Sequence, residues 1–343
     1  MILNGRVVLS VLLLLIAMFT IGCARQHAVP KSDTWSMPKG YGVGSVAWSP
    51  KGDKIAFSAA RWKDDMDPSK GGLSRNSIWL LSLSNTQGTN LKQLVTLKHK
   101  ANGEGIATTL FWLDDNRIGW ATQDGIHYTF MQMELDEKKP RRLTDQNFSG
   151  DPSSDRIGGS APGDVYYDSD SRTLLFSGSL APSGVFVRML PLSTKKVRNL
   201  SVPFPNEKLV NPWMDVVTIC GSLQNPQKPT FYIAASVLDD TYECGGSYLW
   251  LSNSYSLKQD KIITRDGAMW PRTSPDSKLL ACVQGGKLVL YDLASDKHKV
   301  LVKFSGADSP AAGWCSYSWS PDGKMIAYAD GSRIKIVDMP SKL

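Results

Sequence analysis

Four acidic residues form the group in this sequence best suited to acid–base chemistry. Asp239 and Asp240 are followed closely by Glu243, and Asp266 stands further along the chain. Two carboxyl groups can act as general acid and general base when both reach one substrate, and their oxygens are the ligands that Ca²⁺ prefers. If the fold brings these residues together, the sequence predicts a lyase, a lactonase or a glycan hydrolase.

Other catalytic signatures are absent from the sequence. The four histidines are dispersed, and neither an H-E-x-x-H pair nor a G-x-S-x-G turn occurs. The acidic runs 64–67 and 151–155 could coordinate Ca²⁺ but do not follow the spacing of an EF-hand loop; the alternative is solvated loop charge. We therefore predict no cofactor and no metal, and favour a binding protein over an enzyme.

A recurring motif defines the elements that must position any site. Residues 318–328 read Ser-Trp-Ser-Pro-Asp-Gly-Lys-Met-Ile-Ala-Tyr, and residues 47–57 repeat the pattern. Each copy combines a strand ending in Trp, a tight Pro-x-Gly turn and a second apolar strand. Weaker copies bring the total to six, with turns near residues 50, 115, 170, 226, 275 and 321. Six spaced copies indicate a repeat architecture.

Two further strands follow the motif in each copy. Lys287–Asp292 and Lys299–Val302 are typical third and fourth strands, and no helical periodicity is present after the N-terminal segment. The sequence therefore predicts an all-β, six-bladed β-propeller of four-stranded antiparallel blades. The last copy ends after its third strand, which leaves a pairing edge. We expect Val29–Pro38 to supply the closing strand; the alternative is a three-stranded last blade.

The repeat resembles that of the TolB-type, WD-like β-propellers. The motif and the Arg-Arg-Leu-Thr strand at 141–144 carry this resemblance, which extends over about residues 43–340. It implies the propeller fold. The resemblance to TolB proteins would imply an α/β domain before the propeller. Here only about 20 residues separate Cys23 from the first copy, which is too few for such a domain. The resemblance therefore does not imply a role in the Tol–Pal system.

The N-terminus has the features of an export signal. Arg6 precedes an apolar stretch, Val7–Ile21, which is short for a membrane span. Its Gly22-Cys23 end resembles a bacterial lipobox, which implies that Cys23 is lipidated after removal of the leader; the alternative is an ordinary signal peptide. The predicted organisation is a leader (1–22), a tether with the closing strand (23–42) and the propeller (43–343).

Lipidation implies a membrane attachment through acyl chains alone. Ala24 follows the cysteine where an inner-membrane retention signal would have aspartate. In a cell with two membranes we therefore expect the outer membrane, with the protein facing the periplasm. In a cell with one membrane we expect the outer face of the cytoplasmic membrane.

The charge of the chain is mildly basic, with a formal net value of +7. This value is not typical of a protein that binds nucleic acid. We also expect the protein to be a monomer. Basic residues concentrate on the predicted hairpins between third and fourth strands, at 138–142, 195–198 and 297–299. Such a basic rim either contacts anionic headgroups or protects edge strands from pairing.

The cysteines leave two interpretations open. Cys282 and Cys315 lie at strand ends that share one face of a propeller, so they are a candidate disulfide. Alternatively, Cys282 occupies the position of Phe57 and Tyr328 in other copies, where a buried thiol would fill the core.

Loop length distinguishes the two faces of the predicted propeller. The connections between second and third strands, and between blades, contain the long insertions; we call this side the long-loop face. The other side carries the tight turns between first and second strands and between third and fourth strands; we call it the short-turn face. Long loops on a rigid scaffold usually carry binding, so we predict that the long-loop face binds a cell-envelope protein or ligand. Its candidate residues are Arg61, Trp62, Phe148, Arg156, Trp213, Tyr242, Trp270 and Trp314. The alternative for each aromatic is packing against the propeller rim.

Overall fold

The fold of the protein is all-β in the computed structural model. The structure describes residues 34–62, 73–83, 90–97, 107–124, 127–137, 139–144, 148–149, 164–180, 184–203, 213–238, 244–304 and 317–340. Every regular element in these ranges is a strand, and none of them is a helix able to cross a bilayer. Residues Ser32–Leu343 form one compact unit.

Six antiparallel sheets follow one another as the blades of a propeller, which confirms the predicted fold. Blade 1 consists of β2 (Tyr41–Trp48), β3 (Lys54–Trp62), β4 (Leu73–Ser82) and β5 (Asn90–Leu97). Blade 2 consists of β6 (Ala107–Asp114), β7 (Arg117–Asp124), β8 (His127–Glu134), β9 (Arg141–Arg142) and β10 (Phe148–Ser149). Blade 3 consists of β11 (Asp164–Asp168), β12 (Thr173–Leu180), β13 (Gly184–Pro191) and β14 (Arg198–Leu200). Blade 4 consists of β15 (Trp213–Ser222), β16 (Thr230–Leu238), β17 (Cys244–Ser252) and β18 (Lys261–Thr264). Blade 5 consists of β19 (Ala268–Thr273), β20 (Leu279–Gln284), β21 (Lys287–Asp292) and β22 (His298–Lys303). Blade 6 contains β23 (Tyr317–Trp319), β24 (Met325–Asp330) and β25 (Arg333–Asp338).

The last blade is closed by a strand from the N-terminal side of the chain. β1 (Thr34–Ser36) pairs antiparallel with β25, with Trp35 opposite Ile334. The Met37 N–H then donates to the Ser332 carbonyl over 2.9 Å. This confirms the predicted closure: a strand from one end of the chain covers the edge left by the other.

Blade 2 departs from the predicted strand pattern. Its outer position is shared by β9 and β10, which both pair with β8. The prediction of one fourth strand at 141–144 is therefore wrong in its extent. β8 is eight residues long, so one short segment covers only part of its edge and the chain returns to cover more. Phe148 consequently lies in a strand and not in a loop.

The hydrophobic core lies between neighbouring blades. Trp48 of blade 1 packs with Ala327 and Ala329 of blade 6, and Trp112 of blade 2 packs with Ala47 of blade 1. The tryptophans at this repeat position, Trp48, Trp112 and Trp319, are all buried. Each blade thus buries its faces against the adjoining blades, as expected for stacked repeats.

The Ser-Pro turn of the motif is built around its serine. The Ser320 Oγ accepts from the Met325 N–H at 2.9 Å and donates to Asp322 Oδ1 at 2.7 Å. Ser274 repeats both contacts with Leu279 and Asp276, at 3.0 and 2.7 Å. The motif therefore encodes a self-contained hydrogen-bonded turn that ends the inner strands of blades 5 and 6 on the short-turn face.

Candidate functional site

A cavity of about 470 Å³ lies on the propeller axis. The inner strands of all six blades line it, and so do the Ser-Pro turns of blades 1, 5 and 6. Because these turns belong to the short-turn face, the cavity lies at that end of the channel. It is opposite the long-loop face to which the sequence assigned binding. Its walls combine hydroxyl groups with the rings of Trp48, Trp112, Tyr167 and Trp319.

An ion pair crosses the inner strands beside this cavity. Arg272 of β19 donates from Nη2 to Asp164 Oδ1 at 2.6 Å and from Nη1 to Oδ2 at 3.0 Å. Asp164 is fully buried at the start of β11, and the Arg272 side chain is 11% exposed. The pair therefore joins blade 3 to blade 5 across blade 4, in a bidentate geometry that fixes the guanidinium plane.

Asp164 also belongs to a series of contacts between neighbouring inner strands. Its Oδ2 accepts from the Ile219 N–H at 3.0 Å. At the equivalent position of blade 1, the Ser45 Oγ accepts from the Leu110 N–H at 2.9 Å. In blade 4 the Thr218 Oγ1 accepts from the Trp270 N–H of the next blade at 2.8 Å. The carboxylate thus replaces a hydroxyl that other blades use to hold the next blade, and its second oxygen and charge are available for Arg272.

The other donors of Arg272 reach backbone carbonyls. The guanidinium lies 2.8 Å from Pro271 O, 3.3 Å from Ile219 O and 3.3 Å from Val165 O. It also lies 5.4 Å from the ring centroid of Tyr166. Burial raises the pKa of Tyr166, and nearby Cys220 and Asp168 raise it further. Arg272 is therefore occupied by the protein itself and does not present its charge to a ligand.

The second carboxylate of β11 is occupied in a similar way. Asp168 Oδ2 accepts from the Ser171 Oγ at 2.5 Å and from the Leu223 N–H at 3.2 Å. Among the described residues lining the cavity, the remaining carboxylate is Asp170, which is exposed. In the described ranges no three His, Cys, Asp or Glu side chains are grouped so as to hold a metal ion. The cavity suits binding through hydroxyls and rings better than proton transfer.

The four acidic candidates are described only in part. Asp266 is exposed, and its N–H donates to the Thr264 Oγ1 at 3.2 Å. It also forms an isolated bridge with Ser247. Asp239, Asp240 and Glu243 lie outside the described residues, so their convergence stays a prediction.

Besides Phe148, which begins β10, the candidate residues of the long-loop face fall into three groups. Arg61 and Trp62 end β3, and Trp213 begins β15, so their backbones lie at the long-loop ends of strands. Arg156, Tyr242 and Trp314 lie outside the described residues. Trp270 is the exception, because it is buried in the inner strand β19.

Trp270 is held by its backbone on both sides. Its N–H donates to the Thr218 Oγ1 at 2.8 Å, and its carbonyl accepts from the Tyr317 hydroxyl at 2.5 Å. Its φ is +51°, and the ladder between β19 and β20 is irregular there. The following residue, Pro271, has no N–H, so the Trp270 N–H donates to Thr218 Oγ1 instead. The prediction of an exposed binding aromatic at Trp270 is therefore wrong.

The thiols of Cys220 and Cys282 are free and fully buried. Burial raises the pKa of the Cys282 thiol, and the nearby Cys220 adds to this. Cys282 thus packs as a buried thiol in the position that aromatics fill elsewhere, and it is not joined to Cys315. Cys315 itself lies outside the described residues.

Sequence reasoning missed both members of the ion pair. The available signal was a charge in an inner strand: Arg272 stands where the closest copies have Ala47 and Ser318. Asp164 likewise opens a strand that is otherwise apolar and aromatic until Asp168. A charge at a position that repeats as small or apolar indicates a specific buried partner.

Solved structures show the same architecture. No family model and no curated protein matches the chain. A protein described as TolB from Agrobacterium tumefaciens is 13% identical with a TM-score of 0.53, over 89% of this chain and 92% of that one. An oligogalacturonate lyase from Vibrio parahaemolyticus is 11% identical with a TM-score of 0.51, over 91% and 98%. At these identities the likeness shows the propeller fold alone.

Proposed function

We propose that the protein is a lipid-anchored propeller of the cell envelope that binds a protein or ligand through its long-loop face and catalyses no reaction. The observation that carries the non-catalytic part is the occupation of the axial charges. Asp164 and Arg272 satisfy each other, and Asp168 holds two neighbouring segments. A general acid or base must be able to exchange its proton with a substrate, and these groups are committed to the fold.

The choice of the long-loop face rests on the lengths of the connections. Residues 63–72, 150–163 and 305–316 join strands at this face. By contrast, five residues, Ser49–Asp53, join β2 to β3 at the short-turn face. Trp62 and Trp213 stand where two long-loop connections meet the strands. Rigid strands that carry long loops are the usual arrangement of binding surfaces.

The enzyme alternative depends chiefly on acidic residues that lie outside the described part of the chain. Its acidic group falls largely in 239–243, and likeness to an oligogalacturonate lyase at 11% identity concerns the fold. Propellers host many functions, so the fold does not favour one chemistry.

Site-specific photocrosslinking in intact cells tests the binding face. A photoreactive amino acid at Trp62 or Trp213 should give discrete adducts with one partner. The matched control positions are Asn225 and Ser256, which are exposed on turns of the short-turn face. Adducts from the control positions alone, or the same adducts from both sets, would contradict the assignment.

The anchor is tested separately by mass spectrometry of the N-terminal peptide and by membrane fractionation. The purified protein should begin at an acylated Cys23, and Cys23→Ser should move it from the membrane to the soluble fraction. Unchanged partitioning of the variant would show that the cysteine does not anchor the chain.

A further inference from the structure

A group of exposed cations lies on the short-turn face of two neighbouring blades. Lys195 and Lys196 are on the turn between β13 and β14, Arg198 begins β14, Lys228 is on the turn between β15 and β16, and Lys258 is on the turn between β17 and β18. All five are exposed. We refer to these five residues as the cationic patch.

Six other cations of the same face have acidic partners. Lys51 pairs with Asp115, Arg117 with Asp114, Arg141 with Glu134, Lys261 with Asp296, Lys278 with Asp276 and Lys324 with Asp322. Within the described part of the chain, no ion pair involves a patch residue. The three turns of the patch contain one acid, Asp260, whose Oδ2 accepts from the Asn253 N–H at 2.6 Å. The described patch and its three turns therefore keep a net positive charge, with five cations against one acid.

Contacts between blades make the patch continuous. The Arg198 guanidinium lies 4.3 Å from the ring centroid of Tyr255, which is three residues before Lys258. The Leu223 N–H, at the start of the turn that carries Lys228, donates to Asp168 of blade 3. The turns of blades 3 and 4 are thus joined, and their cations occupy one side of the rim.

The first described strand, β1, enters the propeller from the same face. Ser36 pairs with Arg333 at the start of β25, and Thr34 pairs with Lys335 nearer its middle. β25 runs from the long-loop face to the short-turn face, so antiparallel β1 runs the opposite way and enters from the short-turn face. The ten residues 24–33 between Cys23 and Thr34 span at most about 35 Å. An anchor at Cys23 would therefore hold the short-turn face near the bilayer.

Strand β1 and the patch lie on opposite sides of the ring. β1 belongs to blade 6, and the patch belongs to blades 3 and 4; in a closed ring of six, blade 3 is opposite blade 6. A tether at one edge leaves the propeller free to tilt. A second, electrostatic contact at the far edge restrains that tilt, and two weak membrane signals together give stable attachment.

We propose that the cationic patch docks the short-turn face onto anionic phospholipid headgroups, which leaves the long-loop face pointing away from the membrane. This rests on the proposed membrane location and adds a contact to the acyl anchor; of the two roles that the sequence leaves open for its basic rim, it selects the contact with headgroups. Each lysine near an anionic surface raises the ratio of docked to undocked protein by about fivefold. Two reversed lysines should lower it by at least 25-fold by the same arithmetic.

Hydrogen exchange of the full chain reconstituted into vesicles tests the docking. The vesicles contain phosphatidylcholine alone or phosphatidylcholine with phosphatidylglycerol. We expect slower exchange of peptides covering 192–198, 224–228 and 253–259 on the anionic vesicles only. About 1 M salt, where the Debye length is about 3 Å, should remove the difference.

The decisive variant is Lys196→Glu with Lys258→Glu. Its matched control is Lys287→Glu with Lys303→Glu, which reverses two exposed lysines at the long-loop ends of β21 and β22. The patch variant should lose the protection, and the control should keep it. Equal protection on neutral and anionic vesicles, or equal loss in both variants, would overturn the proposal.

The outcome is independent of acylation. The apolar leader or the acyl chains will each retain the chain on vesicles, so exchange at the three turns reports the patch alone. If Cys23 is not acylated but the three turns are protected, the proposed anchor is wrong and the proposed docking surface stands. If Cys23 is acylated but the three turns are unprotected, the proposed anchor stands and the proposed docking surface is wrong.

Discussion

Arg272 and Asp164 join two blades that are not neighbours in the ring. Their side chains meet at 2.6 and 3.0 Å although 108 residues separate them. Propeller blades are held chiefly by contacts with the adjoining blade, whereas this pair ties blade 3 to blade 5 over blade 4. Its loss should therefore affect three blades together.

Arg272→Met should destabilise the protein by about 3–5 kcal/mol, because it leaves the Asp164 carboxylate buried without its charge partner. Asp164→Asn keeps an oxygen that can accept the Ile219 N–H. The double variant Arg272→Met with Asp164→Asn should then be more stable than Arg272→Met alone. Urea unfolding of the four proteins measures this coupling. Additive single effects would show that the two side chains do not act as a pair.

Three tryptophans at one repeat position differ in a single hydrogen bond. The Trp112 Nε1 donates to Ala47 O at 2.9 Å and the Trp319 Nε1 to Arg272 O at 3.0 Å, whereas the buried Nε1 of Trp48 has no partner. Replacement by Phe removes similar volume at each site. Trp112→Phe and Trp319→Phe should therefore cost about 1 kcal/mol more than Trp48→Phe. Thermal and urea unfolding compare the three, and an equal loss in all would contradict the assigned bonds.

The last residue of the tight turn has a left-handed backbone in three copies. φ is +75° at Gly52, +69° at Gly323 and +57° at Ser277. A non-glycine residue there costs about 1–2 kcal/mol. Gly323→Ala should destabilise by about 1 kcal/mol, and Ser277→Gly should stabilise by up to about 1 kcal/mol. The added Cβ at 323 would meet Pro275 at 3.5 Å, which is an ordinary contact, so the backbone alone is tested. Urea unfolding should therefore show a lower free energy of unfolding for Gly323→Ala and a higher one for Ser277→Gly. A change in the same direction in both variants would reject the strain argument.

Stability should fall in acid partly through the turn aspartates. A hydrogen bond from the Ser274 Oγ, followed by one from the Lys278 N–H, lowers the pKa of Asp276 from 3.8. At Asp322 burial opposes the shift, but the bonds from Ser320 and Lys324 outweigh it and the pKa is again lowered. A carboxyl group with a lowered folded pKa stabilises the fold above its unfolded pKa and loses this effect as pH falls through the folded value.

Asp276→Asn and Asp322→Asn should accordingly be less stable than the parent at pH 7. The difference should shrink below about pH 4 and disappear once the parent carboxyl is protonated. Unfolding midpoints measured from about pH 7 to about pH 2 check this. Asp170→Asn, which alters an exposed carboxylate on another turn, is the control. A difference that stays constant with pH would show that ionisation is not involved.

Much of the architecture was predictable because it is locally encoded. The Ser-Pro turn closes through contacts within five residues, as Ser320 shows with Asp322 and Met325, so the pattern is visible in the sequence. The closing strand was predictable for a related reason: an unpaired edge requires a partner. The divided outer strand of blade 2 was not, because the return of the chain at Phe148 depends on how much of β8 remains uncovered.

Trp270 and the axial ion pair mark the limit of such reasoning. Trp270 belongs to an inner strand in which Pro271 cannot donate a hydrogen bond, and only the neighbouring Thr218 and Tyr317 reveal its buried place. Arg272 is simply a charged residue until the ring brings Asp164 to it. The periodic residue pattern was sufficient for the number of blades, the tight turns and the core tryptophans, since each depends on interactions between residues close in the chain. Which charges are neutralised on the axis, and which remain unpaired on the rim, depended on ring closure, because electrostatic partners are chosen by distance in space.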